Sequence, residues 1–305
     1  MLSRIVSVVI PARNAEGTIE SAIMSALNQA LVEVEVIVVN DGSTDKTSEI
    51  LKSFGSQIQV IQGEGRGSGP ARNLGVRSAR GDLIAFLDAD DIWATDKLVK
   101  QLPSAEAGYI VGAYARYFVN DPLKHVGTSI RTDSDQEAQD FILEGKGMPL
   151  LLSSMVFSKS DFERIGGFDP AYVRTQDYEL LVRACLAGLN IRIIRENLVY
   201  YRLHLNSETV ESYFDQFLTA EYVRAKYFSG ETGKMGKWIE LHGRKSDIRR
   251  RVKSGSLLRR GIILFYSGQK VSGICSILAS ALLDPRRTLE KFKRQANTGV
   301  RSSKK

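Results

Sequence analysis

The sequence predicts an α/β fold: an open, mostly parallel sheet flanked by helices, with a helical extension at the C-terminal end. Three observations carry this expectation. Short apolar, β-branched runs alternate with stretches of helical spacing through the N-terminal half. Those runs are continuous rather than alternating, as strands covered on both faces require. The charge then changes sign along the chain. Residues 1–223 hold 21 Lys+Arg against 30 Asp+Glu, whereas residues 224–305 hold 21 against 5.

The elements follow in order. Residues 5–10 form a first strand, stopped by Pro11. Residues 18–30 carry Ile19, Ala22, Ile23, Ala26 and Leu27 at helical spacing, with Thr18 as the expected cap. Residues 34–39 make a second strand that runs into Asn40-Asp41-Gly42-Ser43-Thr44-Asp45, and a helix is expected over 46–54. Residues 58–61 are a shorter strand, and the four glycines within 63–69 mark a mobile loop. A helix over 71–79 contains Gly75, and a fourth strand over 83–87 leads into Asp88-Ala89-Asp90-Asp91.

The middle is less regular. Strands are expected over 109–118, 151–158, 191–194 and 199–202. Residues 128–147 begin as a loop and turn helical, residues 166–170 form a turn, and residues 177–187 a helix. From about residue 215 the chain reads as basic and helical, with apolar helices over 257–266 and 271–283. The division expected is a catalytic domain over 1–214 and a basic extension over 215–305.

Size and composition narrow the function classes. A chain of 305 residues with 43% apolar and 25% charged residues folds on its own core. Two cysteines exclude a disulfide scaffold or zinc ribbon and fit a reducing compartment. The first ten residues are too short an apolar run for a cleavable signal peptide, and no stretch offers a membrane span.

Acidic residues gather where strands end. Asp41 follows the second strand; Asp88, Asp90 and Asp91 follow the fourth. In an open α/β sheet such ends converge on one crevice. Carboxylates gathered there repel one another unless a cation joins them, and a hard divalent ion leaves positions for substrate phosphates. The plainer alternative is that each Asp only caps a turn or helix, which is the role expected of Asp91.

Four motifs in order, Ser7-Val8-Val9-Ile10-Pro11-Ala12-Arg13-Asn14, Asn40-Asp41-Gly42-Ser43, Ala71-Arg72-Asn73-Leu74-Gly75 and Asp88-Ala89-Asp90-Asp91, resemble glycosyltransferase family 2. The likeness continues at Gly166-Gly167-Phe168-Asp169 and Gln176-Asp177-Tyr178-Glu179, then fades after about residue 210. It implies the GT-A fold, a Rossmann-like sheet, and inverting transfer of a sugar from a nucleoside-diphosphate donor, UDP- or dTDP-linked. It places Pro11, Ala12, Arg13, Asn14, Glu16, Asp41, Arg72, Asn73 and Asp88 on the donor. Arg13 and Arg72 are alternatively surface side chains. Asp88 and Asp90 would hold Mn²⁺ or Mg²⁺, joined by His204 if that residue is not simply structural. Asp177 would be the general base, or else a helix cap, with Glu179 the second choice. Gln176 stands where the family has Glu. Trp93 either borders the acceptor or packs in the core.

The implied acceptor is a glycan or a lipid-linked sugar in cell-surface polysaccharide synthesis. The implied location is cytoplasmic, peripheral at the inner face of the plasma membrane. Clustered Lys and Arg beside apolar helices suit an anionic membrane surface, or else a solvated helical hairpin; nucleic acid is not expected, because its binding motifs are absent. A sugar nucleotidyltransferase would need a basic, glycine-rich loop after the first strand, and residues 11–17 hold one Arg and one Gly. A non-catalytic sugar-nucleotide or glycan binder is the remaining alternative, prompted by Gln176.

Overall fold

Runs that bury every residue build the centre of the sheet. Val6–Ala12 (β1) and Leu83–Phe86 (β4) are wholly buried, and Val34–Asn40 (β2) nearly so. The computed structural model describes residues 5–145, 148–205, 213–230, 246–285 and 288–289. The remaining strands are Gln59–Gln62 (β3), Ile92–Trp93 (β5), Ile110–Phe118 (β6), His125–Thr128 (β7), Val156–Ser158 (β8) and Ile191–Arg202 (β9). They order as β3-β2-β1-β4-β8-β6-β9-β5, with β7 on β6. β1 runs parallel to both β2 and β4, and β2 parallel to β3. Beyond β4 the pairs β4–β8, β8–β6 and β9–β5 are antiparallel. The parallel half therefore points its C-terminal strand ends, at residues 12, 40 and 86, to one side.

Helices cover these strands: Ile19–Leu27 (α1), Thr47–Ser53 (α2), Ser68–Ser78 (α3), Lys97–Glu106 (α4), Asp135–Leu143 (α5), Lys159–Arg164 (α6) and Gln176–Leu186 (α7). Tyr213–Phe228 (α8), Ser246–Tyr266 (α9) and Lys270–Leu283 (α10) follow. The chain divides into two compact units, residues 1–116 with 129–201, and residues 117–128 with 202–305. The second unit takes in the segment around β7: Leu203 N–H donates to Phe118 C=O at 2.7 Å. Of the basic groups expected in the extension, Arg244, Lys245, Arg286, Arg287, Lys291, Lys293 and Arg294 lie outside the described residues, as does the tail over 297–305.

Several expectations are corrected. The strand expected over 151–158 is extended only at Val156–Ser158. Leu152–Ser154 is a tight turn because the Ser154 hydroxyl donates to Leu151 C=O at 2.6 Å. The two strands expected around Arg195-Glu196 are one, β9. Its exposed charged middle is tied sideways, Glu196 to Lys100 at 2.5 Å and Arg195 to Asp135 at 3.1 Å. Thr18 stands at the start of α1 but makes no side-chain cap. Asp91 does not cap α4, which begins at Lys97 after Asp96; Asp91 is fully buried. Trp93 is core, its indole N–H donating to Ser153 C=O at 2.6 Å.

Two constraints lock β1 in place. Inside the sheet, the Ser7 hydroxyl donates to Glu35 at 2.6 Å and accepts from Gly81 N–H at 2.9 Å. Glu35 also accepts from the Arg80 backbone at 2.8 Å and its guanidinium at 2.7 Å. Burial alone would raise the Glu35 carboxyl; the bonds from Ser7 and Arg80 outweigh it and hold the group below its ordinary value. On the face, α3 lies close because residue 75 is glycine. A Cβ there would come within 2.4 Å of Val9 Cγ1 and 3.3 Å of Val39 Cγ2, both stiff β-branched side chains.

Glu35→Gln is expected to cost about 1.5–3 kcal/mol in denaturant unfolding at neutral pH. A depressed carboxyl stabilises above its unfolded pKa and stops doing so as pH falls through its folded pKa. The gap between wild type and variant should therefore close in acid. Gly75→Ala is expected to destabilise by about 1–3 kcal/mol through overpacking, despite the better helix propensity of alanine, as a lower thermal midpoint would show.

Candidate active site

Loops leaving β1, β2 and β4 meet α3 and α7 at the C-terminal ends of the parallel strands. Residues 13–16 are fastened to residues 43–47. Asn14, held at a left-handed φ of 50°, accepts from Thr44 N–H at 2.8 Å while its own N–H donates to Ser43 at 3.0 Å. Glu16 accepts from Lys46 N–H at 2.9 Å, and Glu16 N–H donates to Asp45 at 3.0 Å. The side chains of Asn14 and Glu16, expected on the donor, thus hold one loop to the other. Pro11 and Ala12 are the buried end of β1, and the Ala12 carbonyl accepts from Asp41 N–H at 2.8 Å. Arg13 is exposed.

Asp41 is buried, and both of its oxygens are engaged. One accepts from Gly65 N–H at 2.8 Å, the other from Gly67 N–H at 2.7 Å. The glycine loop expected to be mobile is therefore tied down by a carboxylate. Asp41, Glu64, Arg66, Pro70, Ala71 and Leu74 line a recess beside it.

α3 ties the other pieces together. Its Arg72, 8% exposed at the side chain, forms an ion pair with Asp88 at 2.5 Å. The guanidinium also lies 5.5 Å from the centre of the Phe168 ring. Asn73, likewise expected on the donor, spends its amide on the Phe168 backbone, donating to its C=O at 2.7 Å and accepting from its N–H at 2.9 Å. Phe168 is fixed from beneath by Phe86 and Phe162, with ring centres 5.4 and 5.5 Å away. At the start of α3, Gly69 faces Gln176: a Cβ at 69 would lie 2.4 Å from Gln176 Oε1. Gln176 Nε2 donates to Ser68 at 3.2 Å and to Val173 C=O at 3.0 Å. Gln176 Oε1 and Arg72 Nε are buried with no hydrogen-bond partner among the described residues.

This contact brings the first turn of α7 to the turn at 88–91. Asp177 is not a cap; Thr175 holds that position, in a left-handed conformation, and Asp177 is the second residue of the helix. Its carboxyl accepts from Tyr178 N–H at 2.9 Å. Burial pushes it above the ordinary carboxylate value of 3.8. The Tyr178 N–H and the Arg72 charge oppose that rise, and the Asp88 charge adds to it. Asp177, Arg72 and Asp88 are thus within electrostatic reach of one another. Glu179 is excluded as the base: it is 1% exposed and bound through both oxygens by Arg183 at 2.7 Å. Arg183 in turn donates to Gly167 C=O at 2.6 Å, which fastens the Gly-Gly turn to α7.

The extended alternation expected of Asp88 and Asp90 is absent. β4 ends at Phe86, and residues 88–91 form a turn closed by Asp91 N–H to Asp88 C=O at 3.1 Å. Ser153 steadies it, accepting from Asp88 N–H at 3.1 Å. Sequence reading missed Ser153 and Ser68 as site-shaping residues, because their partners stand more than sixty residues away and no local pattern marks them; Phe168 and Gly69 stood in the motifs at 166–169 and 63–69, but their partners Asn73 and Gln176 were not legible there. Among the described residues no three His, Cys, Asp or Glu side chains group as a metal site. His204 is half-buried and belongs to the second unit.

Comparison with known proteins identifies the family. The model of the family described as "Glycosyl transferase family 2" matches residues 7–166. The chain is 29% identical over 213 residues to UDP-Glc:alpha-D-GlcNAc-diphosphoundecaprenol beta-1,3-glucosyltransferase WfaP of Escherichia coli, covering 68% of this chain and 81% of that one. It is 32% identical over 218 residues to amylovoran biosynthesis glycosyltransferase AmsB of Erwinia amylovora, covering 65% and 69%. Among solved structures, S. aureus TarS 1-349 superposes with a TM-score of 0.58 at 17% identity, covering 98% of this chain and 92% of that one. That likeness carries the fold, GT-A. A sheet with this strand order, acidic turns at its strand ends and a matched model over half the chain make this protein a member of glycosyl transferase family 2.

Proposed function

We propose that the chain is an inverting glycosyltransferase that moves a sugar from a UDP- or dTDP-linked donor to a hydroxyl of a glycan or lipid-linked acceptor in cell-surface polysaccharide synthesis. The observation that carries this reading is the meeting of Asp177 with Asp88 and Arg72 in one electrostatic cluster at the strand ends. The relatives support the substrate class. WfaP is named for a UDP-glucose donor and a diphosphoundecaprenol acceptor, and TarS has been solved with UDP-GlcNAc.

The chemistry follows from the groups in place. The acceptor oxygen attacks the anomeric carbon, the bond from that carbon to the diphosphate breaks, and the hydroxyl proton passes to the Asp177 carboxylate. Inversion requires the base opposite the leaving group, the disposition proposed for Asp177 relative to the 88–90 turn. A raised carboxyl is a better proton acceptor than an ordinary one. Arg72 keeps Asp88 oriented. Asp88 and Asp90, two carboxylates in one turn, suit Mg²⁺ or Mn²⁺, which take oxygen ligands from one or two carboxylates and fill the rest with water and phosphate. Such an ion would neutralise charge developing on the departing diphosphate. His204 remains a proposed further ligand. Gln176 is accounted for as the group that holds α7 against Ser68 and Gly69.

Asp177→Asn is expected to lower kcat by about 10²–10⁴-fold, with nucleotide-sugar affinity in calorimetry changed only slightly. Near-normal turnover would remove Asp177 from the role. In the wild type, kcat/KM should fall as pH drops through a value above 3.8, because the protonated carboxyl cannot take the proton. Chelation of divalent ions should suppress release of nucleoside diphosphate, and Asp90→Asn should raise the Mn²⁺ concentration needed to restore it.

A further inference from the structure

The hairpin of α9 and α10 is drawn together at small residues, and α10 leaves a row of aliphatic side chains exposed. A Cβ on Gly261 would come within 2.8 Å of Gly273 C=O, and a Cβ on Gly273 within 2.6 Å of Phe265 N. Further along, the Ser254 hydroxyl donates to Ser280 C=O at 3.1 Å, and both serines are buried. Ile277 also lies in this seam, over Gly261, but four other aliphatic residues of α10 face outward. Val271 is 77% exposed, Ile274 46%, Leu278 58% and Leu282 86%. Their spacing of three, four and four places them on one helix face. No charged residue interrupts residues 271–283.

Basic groups flank this stripe. Arg249, Arg250, Lys253 and Arg260 on α9 and Lys270 at the start of α10 are exposed. Contact through glycine and serine with large apolar residues facing out is the pattern of helices whose surroundings are themselves apolar. No described helix is long and apolar enough to cross a membrane, and α10 has only 14 residues. A short apolar face with basic flanks instead lies in the plane of an interface. We propose that the outward face of α10 docks on an anionic lipid bilayer, with Val271, Ile274, Leu278 and Leu282 in the acyl boundary and the flanking Lys and Arg at the headgroup phosphates. A second copy of this chain suits the face poorly, because it would bring two strongly basic segments together.

The test uses the full chain and vesicles of phosphatidylcholine with or without phosphatidylglycerol. Co-sedimentation with the anionic vesicles is expected, weakening as salt is raised. Leu278→Asp with Leu282→Asp should reduce the bound fraction at least tenfold, and Lys253→Glu with Arg260→Glu should remove the preference for anionic lipid. All four side chains are exposed, so folding should persist, as circular dichroism can verify. An independent readout needs no substitution. Cys275 is exposed on α10, whereas Cys185 is buried and its thiol is pushed up to about 12 by that burial. An environment-sensitive dye on Cys275 should shift to the blue with anionic vesicles alone. Absence of both vesicle binding and dye shift would overturn the proposal. So would a dimer in analytical ultracentrifugation that the Leu278→Asp, Leu282→Asp variant converts to monomer without any vesicle binding.

Discussion

The ion pair between Arg72 and Asp88, 2.5 Å long, organises the site. Its arginine is almost fully covered, so the charge has few alternatives to the carboxylate. Removing Asp88 would leave the covered guanidinium uncompensated, which is unfavourable for a buried charge. Around this pair, the neighbouring residues of one helix do different work. Ser68 and Gly69 receive the side chain that opens α7, and Asn73 clamps the backbone of Phe168. Arg72 itself joins the turn after β4 to the electrostatic field at Asp177. α3 in turn sits where it does because Gly75 lets it touch Val9 and Val39. Position of the helix, ion pair and the surroundings of Asp177 form one chain of dependence.

The acidic residues around α3 and α7 differ in how they are satisfied. Asp41 is satisfied by two backbone N–H groups, and Glu179 by a two-pronged arginine. The Asp177 carboxyl accepts from Tyr178 N–H, and burial favours its neutral form. The difference between these acids lies in what surrounds them, not in their residue type.

Much of this was readable before any coordinates. Strands made of continuous buried runs, such as 5–10 and 34–39, announce themselves because burial on both faces leaves no polar positions. The motifs around residues 41, 72, 88 and 177 pointed to one crevice, and the structure gathers them at the parallel strand ends. What the sequence could not supply was the use made of each side chain. Asn14, Glu16 and Asn73 look like ligand-binding groups, yet their partners are backbone groups and hydroxyls of distant loops. The antiparallel half of the sheet was harder still. Its strands are short or carry charges, as β9 does at Arg195 and Glu196, which pair with Asp135 and Lys100.

The fastening of residues 13–16 to residues 43–47 has a consequence for engineering. Six hydrogen bonds cross between these segments, each joining positions about thirty apart in the chain. Neither segment is complete alone. A chimera that imported one from a homologue would strand the acceptors of the other, whereas swapping both together would carry the whole lattice across as a single cassette.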